Sequence, residues 1–294
     1  MRFLIKKIYF ISFFFLSLLL IAESNAKENK IKYSKENISN YLFGTIYSNQ
    51  HNSKQAYEHF SSIKSLKDLH DTYNVSFIRT LVLVDKFEEA RAFAKSTWSE
   101  NKIFFEADLV LGINAFLKKN YKKAEKHFER LNTISADNFI FGDFIGNILI
   151  SWVKASENNQ KSSFEFYNKI PERYNNLKKI QNSFLQCYFD TNYSESAFEN
   201  LINNSEYDFS RYNYFLANYL VSKKKISEAS MIYKNKITDI YNKNLLIRQT
   251  EDFLKNNKSA KVLAFFDCKK PKDVIAEIFY VIANLYASEK NYEL

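Results

Sequence analysis

Between Ala107 and Asn132, apolar positions recur at helical spacing, stop, and start again. Leu109, Ile113, Phe116 and Leu117 mark the buried face of a first helix. The polar run from Lys118 to Lys123 reads as a tight turn. A second helix then carries Ala124, Phe128 and Leu131 on its apolar side. Gly112 interrupts the first face without a side chain, and it lies twelve residues before Ala124. Two helices approach closely only where the contact point lacks bulk. Phe128 is then placed to fill the space beside that contact.

The same grammar recurs along the chain. Gly44 is followed by Ala56 and Phe60, and Ala217 by Ala229 and Tyr233. Less regular versions use Ile78, Ala90 and Ala94; Ser151, Ser163 and Tyr167; and Leu185, Ala197 and Leu201. Ile78 and Leu185 are bulky, which predicts wider helix pairs there. The landmarks Ala56, Ala90, Ala124, Ser163, Ala197 and Ala229 are separated by 34, 34, 39, 34 and 32 residues. A period near 34 is that of stacked helix pairs. The pattern blurs around Ala260 and returns over Ala276 to Leu294, with Phe279, Ile282, Ala283 and Tyr286 in register. The last pair is incomplete. The expectation is a longer protein, or another element covering the final helix, since arrays end in caps with a polar outer face.

Composition agrees with helices. The 294 residues are 46 % hydrophobic and 17 % aromatic, with 4 Gly and 2 Pro, too few turn formers for many strands and long loops. An all-α chain joined by short polar turns fits. The net charge of +9 comes from scattered lysines such as Lys118, Lys119, Lys122, Lys123 and the run Lys223 to Lys225. These read as solvated turns and helix ends, so no nucleic acid is expected as a partner.

Residues 1–26 read as a secretory signal: Arg2, Lys6 and Lys7, an apolar run from Ile8 to Ala22, and small residues before a cut after Ala26. The run is shorter than the ~20 residues that span a bilayer. A polar lead-in over 27–37 and a repeat array over 38–294 follow. The expected location is the periplasm, or the inner membrane if the signal stays as an anchor. Cys187 and Cys268 could bridge only if the array brings their helices together. The plainer reading is two buried small hydrophobes.

Little chemistry is encoded. His59 and His127 each stand three residues after a landmark alanine, a periodic placement that suggests structure. No HExxH, zinc-spaced cluster, nucleophile elbow or glycine-rich phosphate loop occurs. Metal site, cofactor and catalytic residues are therefore all expected to be absent.

The repeat resembles the tetratricopeptide repeat family. The resemblance rests on a small residue at the eighth place (Gly44, Gly112, Ala217), an aromatic at the eleventh (Tyr47, Tyr188, Tyr286), alanine at the twentieth and an aromatic at the twenty-fourth (Phe60, Phe128, Tyr233). The family's Trp at place four and Pro at place thirty-two are missing. The stretch Leu149 to Ile170 is also similar to exported repeat proteins of alphaproteobacteria. The resemblance implies an α-solenoid of antiparallel helix pairs. Its first helices would line a concave groove with Tyr41, Thr45, Arg79, Trp152, Gln186, Arg211, Tyr214 and Asn218. The implied function is a non-catalytic scaffold that binds a peptide or protein segment. The alternatives are a helical accessory domain of a larger envelope enzyme, secretion or pilus machine, or a binder of an anionic polymer.

Overall fold

A computed structural model describes residues 34–133, 144–203, 209, 211–236 and 266–288. The signal sequence, most of the polar lead-in and the blurred stretch around Ala260 lie outside the described residues, as do the side chains of Tyr233 and Tyr286. The described residues form thirteen α-helices and no strands. The chain divides into two compact units, residues 1–80 and 81–294.

In the first unit, α1 (Lys35–Asn49) packs on α2 (Ser53–Ser61). A short 3-10 turn (Lys64–Asp68) leads to α3 (Asp71–Leu83), whose residues up to Thr80 belong to this unit. Ser34 Oγ and Asn52 Oδ1 each accept from a backbone N–H in the first turn of the helix that follows, giving partners to otherwise orphaned donors. A Cβ on Gly44 would sit 2.6 Å from the Phe60 ring, so this position must be glycine for the ring to lie on the helix backbone. Phe60, Tyr73 and Phe77 are fully buried, and the Tyr73 hydroxyl donates to Phe60 O at 2.9 Å.

The second unit contains α4 (Phe87–Thr97), α5 (Phe105–Leu117), α6 (Tyr121–Leu131), α7 (Ile145–Ser156) and α8 (Gln160–Asn168). It continues with α9 (Asn175–Phe189), α10 (Ser194–Ile202), α11 (Tyr212–Ser222), α12 (Ile226–Lys236) and α13 (Pro271–Ser288). Helices pack chiefly on their sequence neighbours: α5 on α6, α7 on α8, α9 on α10 and α11 on α12. Gly112 meets Phe128 as Gly44 meets Phe60.

The turns carry the repeat more clearly than the faces do. His51, Asp85, Lys119, Asn158, Asp190 and Lys224 all have φ between 56° and 62°. They are 34, 34, 39, 32 and 34 residues apart. Each closes a helix with the same two backbone bonds. At the second of the six, Asp85 N donates to Val82 O and Lys86 N to Leu81 O; at the third, Lys119 N donates to Phe116 O and Asn120 N to Ala115 O. In five of the six the next helix starts two residues after the left-handed residue; after Asp190 it starts at Ser194, four residues on.

That two-residue insertion corrects the expected register of the fifth pair. Ser183, not Leu185, faces the landmark: its hydroxyl donates to Ala197 O at 3.0 Å, as Ser151 donates to Ser163 O at 2.9 Å. The small-residue rule holds in this pair once the insertion is counted.

Candidate functional site

Cys187 and Cys268 form a disulfide with a Cα–Cα distance of 6.1 Å. They are therefore not two free hydrophobes, as the sequence had suggested. The bond ties the last turn of α9 to the segment that begins at Phe266. From there α13 returns to pack on α7, more than a hundred residues earlier in the chain. Its Val274, Ile275, Ile278 and Ile282 are buried. Glu277, only 6 % exposed, takes both hydrogen bonds of a bidentate pair with Arg211, each 2.8 Å. Arg211 also lies 4.2 Å over the Tyr280 ring. Phe266 packs 5.2 Å from Phe184 and 4.5 Å from Phe215, centroid to centroid. Lys269 Nζ donates to Tyr188 O at 2.7 Å, satisfying a carbonyl at the end of α9.

Electrostatics follow from this packing. Burial opposes charge on Arg211, but the hydrogen bonds and charge of Glu277 prevail and lift its pKa above the ordinary value. Burial pushes the Tyr212 phenol well up, with the Glu277 charge adding to it. Among the described residues the Tyr212 hydroxyl has no hydrogen-bond partner. Burial lowers the pKa of Lys269, and the nearby charge of Lys223 lowers it further against the pull of Asp190 and Asp267.

The eight residues expected in a groove divide sharply. Trp152 is fully buried, donates to Gln181 Oε1 at 2.9 Å and meets Tyr188 edge-on. Tyr214 and Asn218 are buried on α11, and Arg211 is held by Glu277. These four present core or internal contacts rather than an open surface. Gln186 is half-buried and donates to Asn182. In the first unit, Arg79 is half-buried, the Tyr41 ring lies 4.7 Å from His70, and Thr45 donates to Tyr41 O.

A second centre was not read from the sequence. Asp108, fully buried on α5, accepts from Trp98 Nε1 at 2.7 Å and lies 2.9 Å from His127 Nδ1. Arg130 Nε bonds both of its oxygens at 3.0 Å. An ionised carboxylate only accepts, so His127 carries its proton on Nδ1. The Arg130 guanidinium also bonds the carbonyls of Ser99, Glu100 and Lys102, stapling the loop after α4 to α6. Beside this centre lies a cavity of about 840 Å³ lined by Trp98, His127, Lys95, Lys122, Lys123 and Lys126, among others. One signal was available: Asp108 stands 19 residues before His127, as Asn40 stands before His59.

Among the described residues no group of three or more His, Cys, Asp or Glu gathers as a metal ion would need. No helix there is long and apolar enough to cross a membrane. Comparisons with family models, curated proteins and solved structures return no match.

Proposed function

We propose that the chain is a divergent tetratricopeptide-type array of antiparallel helix pairs, exported to the periplasm, that binds a segment of another protein without chemistry. The observation that carries this reading is the six-fold recurrence of one left-handed helix end at near-constant spacing. A helix pair cannot bury its apolar face alone, and stacking gives it neighbours. The disulfide supports an oxidising compartment, where such bonds persist. The surface we assign to a partner is the cavity beside Trp98, where the indole stands among the exposed lysines Lys95, Lys122, Lys123 and Lys126 and the acids Glu100, Glu125 and Glu129. Several other lysines are already neutralised, by ion pairs of Lys154 with Glu125, Lys223 with Asp190 and Lys225 with Glu195. This pairing favours a protein partner over an anionic polymer.

The test is capture from an envelope fraction by the full chain, beside a variant with Lys95, Lys122 and Lys123 all changed to Glu. These three are exposed, so the variant is expected to fold, which its circular dichroism checks. One protein retained by the native chain and lost by the variant is expected. Equal capture by both, or none by either, would overturn the cavity as the binding surface.

A further inference from the structure

The return of α13 to α7 departs from an array in which each repeat touches only its neighbours. The segment 266–288 touches the first helix of three successive pairs. It meets α7 through α13, α9 through the disulfide and Phe184, and α11 through Arg211 and Phe215. Its anchors follow a helix-in-groove pattern. Relative to Val274 they are apolar at i, i+1, i+4 and i+8 (Val274, Ile275, Ile278, Ile282), with one acid at i+3, Glu277, set on Arg211.

The seat is imperfect. A cavity of about 140 Å³ remains between Phe198, Phe215, Tyr219, Phe266 and Cys268. The Tyr212 hydroxyl is buried and, among the described residues, has no hydrogen-bond partner. Each of these weakens non-covalent docking. The disulfide compensates by keeping the segment at high effective concentration. We infer that the face built by α7, α9 and α11 is a helix-binding surface, filled in cis by residues 266–288, and that the Cys187–Cys268 bond holds this occupant in place. Opened, the face takes an amphipathic helix of the same pattern, apolar at i, i+1, i+4 and i+8 and acidic at i+3. This goes beyond the scaffold reading and does not rest on it, because it follows from the contacts of α13 alone.

The test uses the full chain. Dithiothreitol opens the bond by giving two electrons and two protons, leaving two thiols and becoming a cyclic disulfide itself. Hydrogen exchange is then read by mass spectrometry. The expected result is that amides of 271–283 lose at least tenfold protection while those of α7 and α9 keep theirs. Unchanged protection of α13, or equal loss throughout, would overturn the inference. A second measurement uses the double variant Cys268→Ser, Glu277→Arg and a fluorescein-labelled synthetic peptide of residues 270–288, followed by anisotropy. Saturable binding to the variant is expected, with none to the oxidised native chain and at least tenfold weaker binding by a peptide carrying Glu277→Arg. Dimers of the variant that the peptide disperses are the same contact made in trans and support the inference. Absence of peptide binding to a cooperatively folded variant would sink it. If the variant does not fold, the exchange measurement on the native chain decides.

Discussion

The α1–α2 pair and the α5–α6 pair share one frame and differ in what it holds. Both set a phenylalanine ring on a glycine, Phe60 on Gly44 and Phe128 on Gly112. Both bury the landmark alanine completely. Both place a histidine 2.9 Å from a side-chain oxygen nineteen residues earlier. In the first pair that oxygen belongs to neutral Asn40, and His59 clusters with the rings of Phe43 and Tyr47, 5.4 and 5.5 Å away centroid to centroid. In the other it belongs to the fully buried carboxylate of Asp108, and the surroundings change with it: Trp98 and Arg130 both add hydrogen bonds. The backbone frame fixes where a polar couple sits. Whether that couple carries charge decides how many neighbours must join it, because a buried charge is tolerated only when paired and hydrogen-bonded.

The largest test of this difference removes each oxygen. Asp108→Ala leaves the Arg130 guanidinium, with its side chain 15 % exposed, without its carboxylate. Breaking one side of a buried ion pair costs about 3–5 kcal/mol. Asn40→Ala loses a neutral, half-exposed bond worth about 0.5–1.5 kcal/mol. Urea unfolding of both variants should show the gap. Equal losses would mean that the charge adds nothing to the shared frame.

The shared part should respond alike. Gly44→Ala and Gly112→Ala each drive a Cβ into a phenylalanine ring, an overpacking that costs about 1–3 kcal/mol. Midpoints that fall together support one frame, and tolerance at either site would break the equivalence. Smaller and opposite in sign are the helix ends. His51 and Lys119 hold left-handed backbone that glycine adopts freely. His51→Gly and Lys119→Gly should each stabilise by about 0.5–1 kcal/mol, once the greater chain entropy of glycine in the unfolded state is set against the relieved strain. Thermal melts of both check it.

The frame was legible because glycine–alanine spacing and helical periodicity are local properties of sequence. The left-handed ends were less so. Five of the six are His, Lys or Asp, the other is Asn158, and no glycine marks any of them. The fifth register went astray because two extra residues in the turn after Asp190 move the partner of Ala197 from Leu185 to Ser183. The packing of Trp152, Tyr214 and Arg211 was not legible for a different reason. Trp152 and Tyr214 are buried by packing within α7–α11, Arg211 is half-buried against the returning residues 266–288, and no local pattern announces a contact across 66 residues such as Arg211 with Glu277. Asp108 was hidden because a carboxylate in the first turn of an apolar helix, beside Glu106, looks the same in sequence whether it is solvated or caged. Only its match to Asn40 in the repeat pointed inward.

The smallest effect separates the two pairs by acid. In the loop stapled to α6, Glu100 accepts from Lys126 at 2.5 Å, and that bond and charge, with Arg130 adding, hold its pKa below the ordinary 4.5. A depressed carboxylate contributes stability that is fully present above its unfolded pKa. That contribution is lost as pH falls through the folded value, so the window lies below about pH 4.5. Lys126 also lies 5.6 Å from the Trp98 ring centre, so releasing it from Glu100 uncovers the indole beside the cavity. At the place that matches Glu100, 68 residues earlier, the sequence has Lys32, which brings no carboxylate to titrate. Tryptophan fluorescence followed from pH 6 to pH 3 should therefore show an early step in the native chain that Glu100→Gln abolishes. Trp152, the other indole, is sealed in the core and bonded to the neutral Gln181, so it keeps its emission until global unfolding. An early step that survives Glu100→Gln would overturn the assignment of this acid sensitivity to the Glu100–Lys126 bond.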